Sequence, residues 1–390
     1  MNEQCYDIHK QIISFIMPED SYGVLYLTND IFLLSLTSKY WNKIINDYID
    51  EYKKIHTIEE TKFINMTAEA SKYGYINVLE WFKNSKRFFQ YTYYALECCS
   101  EYGHTHILNW WLTQSGFEIK FEKNCILLAV TNGHINVLEW WVNNYPRAFH
   151  AIITAQDIVL SCIQEGHLDV LEWMKNNTSG FGIYFNFDMS LSHKASFHGH
   201  VHILEWLNNN NYRFKNSMDA CIILASRGGS TNVLEWLKNL CENTIDTSFL
   251  YEGLNRRKYE FICNTHAIKD AGSNGYINVL EWWKNSGYKL KYNEDMIDAV
   301  SSKGYIDILE WWKNLCKNSD YKFKYTKEAI NKASLYGRIY VLEWWKNSGY
   351  ELRYQMFNFK DLPAKSVEWW KNSGLEYDGY MVHYNGHFDY

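Results

Sequence analysis

The nine residues GYINVLEWW, from Gly275, have close copies along most of the chain. A unit repeated at a fixed period restricts the possible architectures more than any other sequence property. The copies are GYINVLEWF from Gly74, GHTHILNWW from Gly103, GHINVLEWW from Gly133, GHLDVLEWM from Gly166, GHVHILEWL from Gly199, GSTNVLEWL from Gly229, GYIDILEWW from Gly304 and GRIYVLEWW from Gly337. A worn tenth copy, KSVEWWKNSG, closes the series. The anchoring tryptophans are Trp81, Trp110, Trp140, Trp173, Trp206, Trp236, Trp282, Trp311, Trp344 and Trp369. They lie mostly 29 to 33 residues apart, with one gap of 46 after Trp236 and a last step of 25. A catalytic motif occurs once or twice in a chain. Ten copies point to a structural unit.

Each unit reads as two helices. Counting from the glycine, apolar residues fall at +4, +5, +7 and +8, as in Val279, Leu280, Trp282 and Trp283. At 100° per residue these lie on one arc, with Glu281 on the far side. Four residues before the glycines stand compact residues: Ala70, Cys99, Ala129, Cys162, Ala195, Ala225, Ala271, Val300 and Ala333. They let two antiparallel helices approach closely, and the glycine suits the left-handed residue that ends the first helix. Thr92, Asn293 and Thr326 are candidate N-caps. One such pair cannot bury both its faces, so the pattern predicts an all-α solenoid of nine or ten stacked units with short connectors. Only three prolines interrupt the chain.

The tryptophans predict core packing, with +8 inside its own unit and +7 against the neighbour in an unbroken column of indoles. Burying one such ring stabilises by roughly 2–3 kcal/mol. Glu stands at +6 in nine of the ten copies, and Lys follows three residues later in seven. These read as exposed i,i+3 pairs, each contributing about 0.2–0.5 kcal/mol. Pointing outward one per repeat, the carboxylates share no cleft for acid–base chemistry.

The A-x-x-x-G-H-x-x-V-L-x-W-L run, visible from Ala129 to Trp141 and again from Ala195 to Leu207, resembles the A-A-x-x-G-H-x-x-V-V-x-L-L core of the ankyrin repeat. The resemblance covers residues from about 60 to 380. The family's T-P-L-H start is absent here, and several units are short for it. The E-W-W-K-N-S-G wording, rich in Asn, Tyr and Ile, is similar to divergent ankyrin proteins of giant amoebal viruses and amoebae. This implies a repeat array over 57–390, with an irregular insertion at 241–263 and a degenerate last repeat at 352–390.

Residues 1–56 lie outside the repeat. The segment NDIFLLSLTSKYWNKII resembles an F-box, the matching positions being Leu33, Leu34, Leu36, Lys39 and Trp41. The family's leading Leu-Pro is missing. The resemblance implies docking on the adaptor subunit of an SCF-type ubiquitin ligase. An equally natural reading is a helical cap sealing the end of the array.

Outside the motif, the connectors FEIKF, YRFKN, YKLKY, YKFKY and YELRY carry a cation at the fourth position: Lys120, Lys215, Lys291, Lys324 and Arg353. Aligned along one edge and flanked by Tyr288, Tyr321 and Tyr350, they would suit an acidic, extended protein segment. The alternative is a solvated edge. The densest histidine cluster, His193, His198, His200 and His202, invites a metal-enzyme reading. Against that, His200 occupies the same slot after the glycine as His104, His134 and His167, where the ankyrin family uses a structural histidine. No nucleotide-, zinc-hydrolase- or serine-hydrolase-type motif occurs. Net charge of −6 supplies no field for nucleic acid. Nine cysteines without a C-x-x-C pair read as reduced thiols. No signal peptide or membrane span is expected. Together these features predict a cytoplasmic (for a viral chain, host-cytoplasmic), cofactor-free, non-enzymatic protein–protein interaction scaffold. It is either a ubiquitin-ligase substrate receptor or a plain scaffold or host-factor trap.

Overall fold

The computed structural model describes residues 64–85, 93–153, 156–178, 189–210, 218–243, 261–355 and 359–376. Twenty α-helices, and no strand, occur among the described residues. The chain divides into two units, Met1–Phe185 and Asn186–Tyr390.

In the first unit the helices are α1 (Ile64–Lys72), α2 (Ile76–Ser85), α3 (Tyr93–Glu101), α4 (Thr105–Thr113), α5 (Lys123–Thr131), α6 (Ile135–Asn144), α7 (Pro146–Ile153), α8 (Gln156–Glu165) and α9 (Leu168–Thr178). Apart from α7 they form pairs: α1 with α2, α3 with α4, α5 with α6 and α8 with α9. The first helices α1, α3, α5 and α8 pack side by side in chain order, and α4, α6 and α9 form a parallel layer behind them. Helix α7 begins at Pro146 and lies against α5 and α6.

The second unit contains α10 (Met189–His198), α11 (Val201–Asn209), α12 (Met218–Gly228), α13 (Thr231–Asn243), α14 (Thr265–Ser273), α15 (Ile277–Asn285), α16 (Glu294–Lys303), α17 (Ile306–Lys317), α18 (Glu328–Leu335), α19 (Ile339–Asn347) and α20 (Ala364–Ser373). Here α10, α12, α14, α16 and α18 form the row of first helices, and α11, α13, α15, α17, α19 and α20 the row of second helices. A 3₁₀ turn, Phe359–Asp361, precedes the last helix.

The turn inside each pair follows from one residue. Gly133 has φ +73°, in the region closed to most L side chains. The backbone N–H after it then reaches five residues back, His134 N to Ala129 O at 2.8 Å. The same bond recurs from Tyr276 to Ala271 and from Arg338 to Ala333. It satisfies a carbonyl that the helix end would otherwise leave bare. The compact residue at −4 is thus the acceptor that closes the turn as well as the point of close approach. Ala129, Ala225, Ala271 and Ala333 are all fully buried.

The helix starts depart from expectation. Asn264 caps α14 by accepting from Ala267 N at 2.8 Å. The Asn293 side chain turns to Asp295 and makes no cap bond. Thr326 accepts from Glu328 N at 3.1 Å, and is itself held by the buried Asp298 of the preceding repeat. Thr92 lies outside the described residues, as do residues 1–56 with Leu33, Leu34, Leu36, Lys39 and Trp41, and most of the 241–263 insertion.

Candidate functional site

The repeated motif is an interface, and many of its polar side chains reach the preceding or following copy. At +7 the indole N–H in six repeats donates to the +6 side chain of the previous repeat, whereas the buried N–H of Trp173 has no acceptor. Trp282 donates to Glu235 at 2.9 Å, Trp311 to Glu281 and Trp344 to Glu310 at 2.5 Å, and Trp369 to Glu343 at 2.6 Å. In the first unit Trp110 donates to Glu80, and Trp140 to Asn109 at 2.6 Å. The one repeat with Asn in place of Glu keeps an acceptor there. The +6 carboxylate is therefore aimed at the next tryptophan, and Glu281 also forms the expected i,i+3 ion pair with Lys284. The Trp311 indole holds the Glu281 carboxyl below the usual carboxylate range, with Lys284 assisting.

At +8 the indole also crosses to the previous repeat, to a serine on its first helix, which corrects the expectation that this ring stays inside its own unit. The pairs are Trp111–Ser71 at 2.9 Å, Trp141–Ser100 at 3.2 Å, Trp283–Ser226 at 3.2 Å, Trp345–Ser301 at 3.1 Å and Trp370–Ser334 at 3.0 Å. These five rings are almost completely buried, where an unpaired N–H is costly. Within each repeat the two indoles meet edge to face, as Trp344 and Trp345 do at 5.2 Å. Between repeats the column alternates indole with carboxylate or hydroxyl.

The residue after the glycine reaches the carbonyl two residues before the previous glycine. His104 bonds Lys72 O, His134 bonds Glu101 O and His167 bonds Thr131 O, each at 2.9 Å. Ser230 and Arg338 make the same link to Phe197 O and Ser302 O. At +3, Asn136, Asn232 and Asn278 donate to the previous glycine's carbonyl at 2.8–3.2 Å. At +9, Lys83 and Lys238 donate to the carbonyl capping the next second helix, Gln114 O and Ser286 O. Lys313 instead lies over the Trp344 ring, 5.8 Å from its centroid.

The connector cations are arranged differently from one another. Lys291, Lys324 and Arg353 are exposed along successive connectors of the second unit. The tyrosine that organises them is the fifth connector residue. The Tyr292 hydroxyl donates to Lys322 O at 2.7 Å and accepts from Lys322 N at 2.9 Å. The Tyr325 hydroxyl donates to Glu351 O at 2.8 Å. Lys324 Nζ sits 5.0 Å from the Tyr292 ring centroid and the Arg353 guanidinium 4.9 Å from that of Tyr325. Arg353 also pairs with Glu351 at 2.8 Å. Of the first-position tyrosines, Tyr321 accepts from Leu290 N, Tyr350 stacks on Phe323 at 4.3 Å, and Tyr288 packs on Phe261. Burial pushes the phenols of Tyr288 and Tyr350 up. Lys120 is exposed on the first unit beside Phe121, which packs on Trp141 at 4.4 Å. Lys215 lies outside the described residues.

The histidine cluster does not converge. His198 and His200 stack with centroids 6.2 Å apart, and His200 meets His202 edge-on at 5.6 Å. Among the described residues no group of three or more His, Cys, Asp or Glu side chains is placed to hold a metal ion. The described cysteines are free thiols, and burial raises Cys98, Cys241, Cys263 and Cys316 to about 11. No helix among the described residues is long and apolar enough to cross a membrane.

Among the site tryptophans, Trp110, Trp140, Trp173, Trp206, Trp344 and Trp369 are buried, while Trp236, Trp282 and Trp311 are half-buried. The Trp81 side chain is outside the described set. The sequence reading missed the accepting serines, Asn109 as a replacement acceptor, and Tyr292 and Tyr325. The signal for the serines was available: Trp at +8 follows a repeat with Ser three residues before its glycine in five cases. No protein-family model and no curated protein matches the chain.

Proposed function

We propose that the chain is a non-catalytic binding scaffold, an ankyrin-like solenoid whose connector edge in the second unit holds an extended acidic segment of a protein partner. The observation that carries this reading is the tyrosine ladder. The connectors from Tyr288, Tyr321 and Tyr350 are tied in succession by two phenols on backbone, and both links carry an exposed cation on the ring. Packed helices lie roughly 8–10 Å apart, and an extended chain rises about 3.3 Å per residue. The cations therefore match carboxylates at every third residue of a bound strand. Many of the motif's polar groups are occupied between repeats, and the connectors add variable, solvent-facing chemistry.

A fluorescent peptide with glutamate at every third position, in a Ser/Gly background, tests the reading. The full chain should bind it, and K291E/K324E/R353E should weaken binding at least tenfold. Equal affinity for the triple variant, or for an arginine version of the peptide, would remove the connector edge from consideration. For residues 1–56 we propose an F-box-like dock for the adaptor of an SCF-type ligase, supported by the Lys39–Trp41 segment. Co-elution of purified adaptor with the full chain, lost in K39E/W41A, is expected. Failure to co-elute leaves a plain scaffold or host-factor trap with a terminal cap.

A further inference from the structure

The last junction of the second unit is built unlike the others. Upstream, the side chain after the glycine reaches over the glycine before it, a ring at five junctions, Ser230 over Gly199 and Arg338 over Gly304. A Cβ on Gly103 would meet His134 at 3.0 Å, one on Gly133 would meet His167 at 2.7 Å, and one on Gly275 would meet Tyr305 at 2.9 Å. Over Gly337 stands Pro363, whose nearest atoms are 3.7 Å away. The next position, Ile in five of the other nine copies and otherwise Leu, Val or Thr, is Ala364. These smaller residues leave a groove of about 800 Å³ between α19 and α20.

Tyr340, Val341 and Trp369 form its apolar lining, and Lys303, Arg338 and Lys365 its cationic rim. Tyr340 stands at +3, where three other repeats place an asparagine that donates to the glycine behind it, and the residue is 81% exposed. Leu335 and Tyr336, 42% and 61% exposed, stand at the end of α18 in the same repeat. Single exposed apolar residues are ordinary, but an exposed tyrosine on the lining of a cleft with a cationic rim marks a contact point. Of the two carboxylates on the lining, Glu343 already accepts the Trp369 indole at 2.6 Å, and Glu368 remains. Arg338 is anchored through Nε to Ser302 O at 3.1 Å, which leaves its terminal nitrogens for another acceptor. Lys303 and Lys365 are exposed and form no ion pair among the described residues.

We propose that this groove receives an acidic peptide segment whose single apolar side chain seats on Tyr340 and Trp369 while its carboxylates meet Lys303, Arg338 and Lys365. Tyrosine, tryptophan and arginine at the centre of a concave patch are the residue types that dominate protein recognition, and the surplus of cations selects the sign of the partner. The site lies on the turn-and-second-helix side of the repeats and is independent of the connector edge.

A labelled nonapeptide with one phenylalanine between two runs of four glutamates is the probe, with an all-glutamate nonapeptide as its counterpart. The full chain should bind the phenylalanine peptide at least fivefold more tightly than the counterpart. Y340A should erase that preference, and K303E/K365E should weaken binding at least tenfold. K324E, on the connector edge, should change it less than twofold. No binding by the full chain, or unchanged affinity in both groove variants, would overturn the proposal. Sensitivity to Lys324 with none to Lys303 and Lys365 would also overturn it while supporting the connector edge.

Discussion

Trp345 and Trp312 hold the same +8 position in neighbouring repeats, but only one has a hydrogen-bond partner. Trp345 donates to Ser301, whereas the N–H of Trp312 is buried without an acceptor, because the equivalent first-helix position is Gly272. The reverse mismatch occurs at Ser196, whose buried hydroxyl is unpaired and whose +8 counterpart in the next repeat is Leu237. A typical internal hydrogen bond contributes about 1 kcal/mol, and a stranded buried group costs about 1–3 kcal/mol. W345F should therefore lose about 1–2 kcal/mol more than W312F in urea unfolding, since both lose similar volume but only the first breaks a bond. The two serines should give opposite signs. S301A is expected to destabilise by about 1 kcal/mol, and S196A to be neutral or stabilising by a similar amount. Destabilisation by both would show that the pairing rule does not govern these sites.

Among the elements, the turn inside each pair joins backbone chemistry to stacking. Gly133 is needed for its φ of +73° and also because a Cβ would lie 2.7–2.8 Å from the His167 ring. Gly116 has φ +83° with nothing within 4 Å of a Cβ. G116A should thus cost only the left-handed backbone term, roughly 1 kcal/mol. G133A should cost clearly more, because the ring must shift and its bond to Thr131 O is strained. Chemical denaturation of both variants separates the two contributions. His104 adds a pH dependence. Burial holds its imidazole below the usual histidine range, so the folded state binds fewer protons than the unfolded chain. Its contribution is present above pH 6.5, the ordinary value, and is lost as pH falls through the lowered value. An H104Q variant should flatten that acid-side slope in a stability–pH profile. An unchanged slope would place the titration elsewhere.

For the whole molecule, the repeat period, the helix–turn–helix unit and the glycine turn were legible in the sequence because they depend on residues within one copy. Val279, Leu280 and Trp283 sit on one arc of one helix, and a helical wheel shows that directly. The role of Glu at +6 was not legible in the same way. On its own helix Glu281 faces away from the core and beside Lys284, so it looks like a solvated pair. Its principal partner, Trp311, arrives from 30 residues further along. The same holds for Tyr292, whose hydroxyl finds its acceptor on the next connector. Stability in such an array is a sum of nearest-neighbour interfaces, and the copies anchored by Trp110, Trp282, Trp311 and Trp344 are each both donor to the repeat before and acceptor for the repeat after. The most direct test is a double-mutant cycle on Glu310 and Trp344, with E310A, W344F and the pair, read by urea unfolding. A clamp between repeats predicts a coupling of about 1 kcal/mol or more, with the double variant less destabilised than the sum of the singles. Additive losses would mean that the Glu–Trp pair is merely adjacent and that apolar packing alone holds the repeats together.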